Sequence, residues 1–221
     1  MAEQIRFWLT PVPEAEADPF LGPQMAYDLA VLQPEATVGD YLTGLAEFQA
    51  ATLADCKGCD GCCHERAPLT IADWQLSGHS GEPAGGLAEW LLDWAELSFC
   101  GPAVDLTLRR SENGSCQFLN EKQKCCTIHP WRSFTCRSHC CLPKTERAEA
   151  LRGVLINAGE DELVRQLLSL PQPPWADRLA ECSLADYAPN AFSNLPAADW
   201  AQAKLQDLAG PELWAKIFQP A

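Results

Sequence analysis

The residues best suited to chemistry are cysteines, which gather in two parts of the chain. The first group has four thiols within eight residues, spaced C-x-x-C-x-x-C-C: Cys56, Cys59, Cys62 and Cys63. A C-x-x-C turn lets two thiolates reach one metal ion, and the glycines between them suit such turns because glycine tolerates positive φ. The second group contains six more: Cys116, Cys125, Cys126, Cys136, Cys140 and Cys141. This pattern predicts metal binding through thiolates.

The length, composition and net charge of the chain limit the class of protein and the kinds of partner that it can have. It has 221 residues, 47% of them hydrophobic, enough for one large domain or two small ones with a buried core. The net charge of −14 argues against a nucleic-acid partner, because no basic surface stands out to meet phosphates. The amino terminus carries prolines and acids where a secretory signal has an apolar run, and no stretch has the length of a membrane span. We therefore expect a cytosolic protein without membrane contact.

The expected compartment decides how the twelve cysteines are interpreted. In a reducing cytosol, clustered cysteines are metal ligands or redox groups more often than disulfides. Neighbouring thiols in C-C and C-x-x-C arrangements are also poor partners for long structural bridges. The sequence therefore favours a metal-binding core over a disulfide framework.

Helices and turns around the cysteines are predicted from hydrophobic spacing and from glycine and proline. Residues 1–36, rich in proline and acid, are expected to form an irregular arm that packs through Phe7, Trp8, Phe20 and Leu21. A helix over 38–54, with Thr37 as its N-cap, would deliver the chain into Cys56. Further helices are predicted over 71–76, 87–99, 145–157, 160–170, 197–209 and 211–218.

Strands are predicted only in the middle of the chain. Apolar and polar side chains alternate over residues 104–109, which predicts a strand. Asn113-Gly114 is a strong signal for a hairpin turn, and a returning strand is predicted over 115–119. Residues 125–129 alternate as well, so Cys125 and Cys126 would point to opposite faces. Phe118 shares a face with Cys116, and Ile128 shares a face with Cys126. If these apolar residues mark the face that packs on the core, Cys126 rather than Cys125 lies beside Cys116.

The expected fold is α+β, mainly helical, with a small β-hairpin or three-stranded sheet beside a metal-binding cysteine core. Its predicted divisions are an N-terminal arm and helix (1–51), the cysteine core (52–142) and a C-terminal helical extension (143–221), within one compact domain.

The ordered cysteines also resemble a known family. The run Cys56-x-x-Cys59-x-x-Cys62-Cys63, then Cys116-Gln117-Phe118-Leu119, then Cys126-x-Ile128-His129-x-x-Arg132-x-x-x-Cys136-Arg137 resembles the cysteine-cluster proteins of YkgJ type. The Leu69-Thr70 step and Asp73 look like that family too, and the flagellin lysine methylases carry a similar cluster. The resemblance covers roughly residues 52–142. It implies a domain that chelates zinc or iron, and it implies no particular reaction.

The expected ligand set is larger than one metal ion needs. It comprises eight cysteines: Cys56, Cys59, Cys62, Cys63, Cys116, Cys126, Cys136 and Cys140. The eighth place stays open between Cys140, Cys141, Cys125 and a histidine, His64 or His139. Because zinc and a cubane iron–sulfur cluster each take about four ligands, the set predicts two sites, or one site with additional redox-active thiols.

The choice of metal rests on the ligands and their neighbours. We favour an iron–sulfur cluster over zinc because all the ligands are sulfur and because Phe118, Trp131 and Phe134 could shield a cluster from water. Copper(I) is a weaker third option, since soft thiolates suit it as well. Arg132 and Arg137 flank Cys136, so they are either guanidinium neighbours that lower the energy of bound thiolates or ordinary surface arginines.

These observations lead to one main expectation and two rivals. The main expectation is a cytosolic metalloprotein that uses an iron–sulfur cluster or zinc in electron transfer or in a cofactor-dependent modification reaction. The first rival is a structural zinc module whose acidic surface meets a protein partner; the second is a metal storage or delivery protein. Whether the chain is an enzyme stays open, because spacing does not reveal an open coordination position.

Overall fold

The computed structural model describes residues 3–13, 24–53, 58–77, 86–100, 103–195 and 197–220. The α-helices are α1 (Val38–Thr52), α2 (Ile71–Ser77), α3 (Gly86–Trp94), α4 (Phe134–Arg137), α5 (Glu146–Leu168) and α6 (Leu205–Ile217). The strands are β1 (Ile5–Pro11), β2 (Met25–Val31), β3 (Ala95–Cys100), β4 (Ala103–Leu108), β5 (Leu119–Asn120) and β6 (Cys125–Cys126). Short 3₁₀-helices span Gly61–His64, His129–Trp131, Leu184–Asp186 and Ala197–Gln202.

Helices account for 44% of the structure and strands for 19%, so the predicted mixed α+β, mainly helical class is confirmed. Among the described helices, none combines the length and the apolar character needed to cross a membrane.

The strands pair differently from the prediction. In the described residues they form three two-stranded antiparallel sheets, β1–β2, β3–β4 and β5–β6, so of the two predicted alternatives, a small hairpin and a three-stranded sheet, it is the two-stranded form that occurs. The partner of β4 is β3, paired from Ala95↔Leu108 to Cys100↔Ala103, so the predicted pairing of 104–109 with 115–119 is wrong. The predicted turn at Asn113-Gly114 does form, with φ of +84° at Gly114. The residues on its two sides pair through the isolated bridge Arg110↔Cys116 and not as two strands.

The chain divides into two compact units built from interleaved segments. The hairpin unit comprises the described residues of 1–54, 138–155 and 201–221. The cysteine unit comprises the described residues of 55–137 and 156–200. The boundaries predicted near residues 51 and 142 stay a prediction about the organisation of the chain.

The hairpin unit begins with a β-hairpin where an irregular arm was predicted, and that prediction is wrong. Strands β1 and β2 pair in register from Ile5↔Val31 to Pro11↔Met25. The ring of Phe7 lies 6.0 Å from the rings of Tyr41 and Phe48 and 6.5 Å from that of Tyr27, which joins the hairpin to α1. The predicted contacts of Phe20 and Leu21 lie outside the described residues.

The predicted helix over 38–54 and its N-cap are confirmed. The hydroxyl of Thr37 accepts a hydrogen bond from the Asp40 N–H at 3.2 Å, while the Asp40 carboxylate accepts one from the Thr37 N–H at 2.9 Å. This reciprocal pair satisfies two amide groups that a helix start otherwise leaves unpaired.

Two further helix predictions need correction. The predicted helices 145–157 and 160–170 are one continuous helix, α5, because Gly159 is a point of close packing and not a stop. A Cβ at Gly159 would lie 2.8 Å from the Cβ of Thr70. The predicted helix 197–209 is a 3₁₀-helix followed by the first part of α6, and α6 breaks at Gly210 (φ 67°), just before Pro211.

A row of aromatic rings connects α2 and α3 in the cysteine unit. The rings of Trp74, Trp90, Trp94 and Phe118 follow one another at centroid distances of 5.5, 5.7 and 4.7 Å. The predicted helix 87–99 ends five residues early, at Trp94, because the residues after it pair with β4. The predicted short helix at 71–76 is confirmed as α2.

Candidate metal centre

One buried carboxylate fixes the segments that lead to the cysteines. Asp73 accepts hydrogen bonds from the Thr70 N–H at 2.7 Å and hydroxyl at 3.0 Å, and from the Phe134 N–H at 2.6 Å. Burial raises the pKa of Asp73 to about 6, although these hydrogen bonds and the charge of Arg137 act in the opposite direction. Asp73 thereby fixes the start of α4, which carries Cys136.

Main-chain hydrogen bonds join the first cysteine group to the second. The Cys116 N–H donates to the Cys63 carbonyl at 2.8 Å, and the Cys63 N–H donates to the Asp60 carbonyl at 2.9 Å. Arg110 adds a side-chain link, because its Nη2 donates to the His64 carbonyl at 3.0 Å and its Nε to the Gly114 carbonyl at 2.5 Å. The 3₁₀-helix Gly61–His64 is therefore attached to the turn that precedes Cys116.

The β5–β6 pair brings Cys126 to the same place. The Leu119 N–H donates to the Cys116 carbonyl at 2.9 Å, and Leu119 pairs with Cys126. The charge of Cys126 acts on Cys116, whereas the Cys125 thiol donates to Oε1 of Gln123 at 3.8 Å. The Cys126 thiol is therefore near Cys116, and β6 ends at Cys126 although a strand over 125–129 was predicted.

Five thiols are close enough for their charges to act on one another; we call them the thiol cluster: Cys62, Cys63, Cys116, Cys126 and Cys136. Burial and the neighbouring charges of Cys62 and Cys116 raise the pKa of Cys63 to about 12. Burial, followed by the charges of Asp73 and Cys62, raises the pKa of Cys136 to about 11 despite a hydrogen bond with Ser133. Removing several protons from the cluster is therefore unfavourable unless a cation binds the thiolates.

Two guanidinium groups act on the thiol cluster. Burial raises the pKa of Cys126, and the charge of Arg132 opposes that rise; Arg110 has the same effect on Cys116. The buried Nε of Arg132 has no hydrogen-bond partner among the described residues. The charge of Arg137 acts on Asp73 instead. Nothing in the sequence singled out Arg110, since it lies six residues before the nearest cysteine of the predicted ligand set.

Three predicted ligands, Cys56, Cys59 and Cys140, are not members of the thiol cluster. Cys59 is exposed to solvent, as is the cluster thiol Cys62. Cys140 belongs to the hairpin unit, where its thiol is buried and its charge acts on Tyr27. Cys140 as the eighth ligand stays a prediction, and Cys56 lies outside the described residues.

The three aromatic residues expected to shield a cluster do not share one environment. Phe134 is buried and its ring meets that of Trp200 at 6.0 Å, while Phe118 packs on Trp94. Trp131 is 53% exposed. The expectation that these three residues shield a cluster from water stays a prediction.

The donor chemistry fits a thiophilic metal. Sulfur-only ligand sets are typical of zinc, copper(I) and iron–sulfur clusters, and the cluster contains five such donors. Among the side chains that the structure describes, no three His, Cys, Asp or Glu residues have the arrangement of a metal site.

Comparison of the chain with family models, with curated proteins and with solved structures gives no match.

Proposed function

We propose that this chain is a cytosolic metalloprotein that holds an iron–sulfur cluster or zinc through clustered cysteine thiolates, as the YkgJ-type resemblance implies. One observation carries the proposal. The thiol cluster gathers side chains from four separate stretches of the chain, and main-chain hydrogen bonds hold two of those stretches together at Cys63 and Cys116. A convergence of thiols whose joint ionisation is unfavourable is the environment that a soft cation stabilises.

The residues of the proposed site have distinct roles. The thiol cluster supplies the ligands, joined by Cys56 and Cys59 from the same C-x-x-C-x-x-C-C run. Arg110 and Arg132 would offset the negative charge of the thiolates. An iron–sulfur cluster would supply one-electron chemistry at this site, whereas zinc would hold the loops together.

The exposure of Cys59 and Cys62 favours a second candidate function, metal delivery. A metal passes from one protein to another when an incoming thiolate replaces a bound one, and this exchange needs ligands that the incoming group can reach. A closed structural zinc site would bury all its ligands.

The first test is the metal content of the protein as purified. The chain is purified without oxygen, and the same sample is examined by absorption spectroscopy, elemental analysis and an assay for acid-labile sulfide. Iron with sulfide and visible absorption supports a cluster, and a colourless protein with stoichiometric zinc supports a zinc site. A protein that holds no metal, and takes up neither zinc nor an iron–sulfur cluster during reconstitution, contradicts the proposal.

Matched serine variants test the ligand assignment. Cys126→Ser removes a thiol of the cluster, while Cys182→Ser removes one that lies outside the matched pattern but in the same unit. We expect Cys126→Ser to lose most of its bound metal and Cys182→Ser to retain it. Equal loss of metal in both variants would show that the cluster is not the site.

A further inference from the structure

The aromatic rings of the cysteine unit form a row that begins on α2 and ends beside a thiol. Its first three members are tryptophans: the ring centroid of Trp90 lies 5.5 Å from that of Trp74 and 5.7 Å from that of Trp94. The ring of Trp94 then lies 4.7 Å from that of Phe118. Centroid distances in this range are those of aromatic rings in direct contact. The row is therefore continuous over four rings.

The last ring of the row is connected to the thiol cluster through its own main chain. The Phe118 N–H donates a hydrogen bond to the Cys116 thiol, two residues earlier in the chain. Cys116 has further thiols around it, because the charges of Cys62 and Cys126 act on it. One end of the aromatic row therefore reaches a group of neighbouring sulfur atoms.

The other end of the row is accessible to solvent. Trp74 is half-buried, whereas Trp90 has only 2% of its surface exposed. A one-electron oxidant in solution can therefore reach the indole of Trp74 but not that of Trp90. A thiol loses a single electron more readily than an indole does. Transfer of an electron from Cys116 to an oxidised Trp74 is therefore energetically favourable.

The central tryptophan of the row has an unusual polar environment. The Nε1 of Trp90 is buried and has no hydrogen-bond partner among the described residues. Indole nitrogen is a donor only, and a buried donor without an acceptor is uncommon in folded proteins. An oxidised indole is a strong acid that gives its proton to any acceptor in contact with it. Because no described side chain accepts that proton, the Trp90 ring can keep it and pass on its charge by moving an electron alone.

We propose that the tryptophan row, Trp74, Trp90 and Trp94, carries single electrons from the thiol cluster to a one-electron oxidant at Trp74. The oxidant takes one electron from Trp74, which regains it from Trp90 and Trp94, and these regain it from the Cys116 thiol. Two such transfers join two neighbouring thiols in one disulfide; the oxidant receives two electrons, and two protons pass to water. The route needs the thiols and no bound metal, so it does not rest on the proposed function.

The test is limited photo-oxidation of the full chain, followed by peptide mass spectrometry. A ruthenium(III) polypyridyl complex, generated by light in the presence of a cobalt(III) quencher, is the one-electron oxidant. Oxidised indole is measured at Trp74, and the loss of free thiol is measured at Cys116 after denaturation with a chelator. Oxidation at Trp131, which is 53% exposed and lies outside the row, measures the dose of oxidant.

Trp90→Phe interrupts the row while it keeps an aromatic ring in the buried site. Because a phenyl ring is much harder to oxidise than an indole, we expect oxidised Trp74 to increase severalfold and the loss of the Cys116 thiol to fall at equal dose. Trp94→Phe, at a half-buried ring, should have the same effect and replaces Trp90→Phe if that variant does not fold. Trp200→Phe is the matched control, because it removes a buried indole that lies in the same unit but outside the row.

Two outcomes would overturn the proposal. One is unchanged oxidation of Trp74 and Cys116 in the folded row variants, and the other is an equal change in Trp200→Phe. Circular dichroism checks that each variant is folded, and metal content is measured in every sample. A protein that takes up no metal but shows the expected effect of Trp90→Phe supports the electron route and contradicts the metal proposal, whereas a metal-loaded protein without that effect does the reverse.

Discussion

Glu160 on α5 is a half-buried acid in contact with a second acid. Its Oε1 accepts a hydrogen bond from the Leu106 N–H at 3.0 Å, and the Asp105 carboxylate lies within hydrogen-bond reach. Burial and then the charge of Asp105 raise the pKa of Glu160 to about 8, although the Leu106 N–H acts against this rise. We therefore expect Glu160 to be protonated at neutral pH and to share its proton with Asp105.

This proton makes the stability of the fold depend on pH. In the unfolded chain a glutamate ionises near 4.5, so between pH 4.5 and 8 the folded state binds more protons than the unfolded state. The stabilisation is complete below pH 4.5 and is lost as pH rises through about 8. Each pH unit corresponds to about 1.4 kcal/mol, so the free energy of unfolding should fall by roughly 2 to 3 kcal/mol between pH 6 and 8.

The variant Glu160→Gln isolates this contribution. Its amide oxygen can accept the same hydrogen bond from Leu106, and its amide nitrogen can donate to Asp105 without a titrating proton. Urea unfolding at pH 6, 7 and 8, under reducing conditions, should give a wild-type midpoint that falls with pH and a nearly constant midpoint for Glu160→Gln. The range starts at pH 6 because the raised pKa of Asp73 adds its own dependence below that value.

Glu146→Gln is the matched control, since it removes a carboxylate from an exposed position on the same helix. Its stability should depend on pH as that of the wild type does. The reasoning is refuted if the wild-type midpoint does not fall between pH 6 and 8, or if Glu160→Gln retains the wild-type slope.

Two further predictions concern the support of the cysteine unit and the packing of α5. Asp73→Ala leaves the Thr70 and Phe134 N–H groups without their acceptor and should lower the free energy of unfolding by about 3 kcal/mol, measured by urea denaturation; a loss below about 1 kcal/mol would contradict the role of Asp73. Gly159→Ala places a methyl group 2.8 Å from the Thr70 Cβ and should cost about 1 to 3 kcal/mol. Gly153→Ala, in the same helix with open space around its Cβ position, should stabilise by about 0.5 to 1 kcal/mol, and equal effects at the two glycines would refute the close packing at Thr70.

The sequence predicted the structure correctly where the local conformation depends on a few residues that are neighbours in the chain. Thr37 and Asp40 form a capping box, so the start of α1 could be predicted from the sequence. The same holds for the Asn113-Gly114 turn. The strand that returns from that turn could not be predicted, because residues 95–100 compete for β4 and the turn signal carries no information about them.

Errors arose where contacts between distant residues override local preference. The predicted gap between the helices 145–157 and 160–170 contains Gly159, which in the structure allows Thr70 to approach α5 closely. Pro11 and Pro13 suggested an irregular arm, yet Pro11 occupies the end of β1, where a strand tolerates proline.

All five thiols of the thiol cluster belong to the ligand set predicted from the sequence, whereas Cys59 is not part of the cluster and Cys140 lies in the hairpin unit. The charge of Cys126 acts on Cys116, as strand alternation suggested. The sequence did not indicate a role for Arg110, because that role depends on a hydrogen bond to the His64 carbonyl, which is distant in the sequence.

The order in which the thiol cluster is assembled has a consequence during protein synthesis. Cys63 precedes Cys136 by 73 residues. At a synthesis rate of roughly 5 to 20 residues per second, Cys136 is therefore added about 4 to 15 s after Cys63. For the first part of that interval, until Cys116 has been added, the Gly61–His64 turn lacks the Cys116 N–H that later holds it. The nascent chain should therefore be most vulnerable to oxidation and to capture of the wrong metal before its second half has emerged.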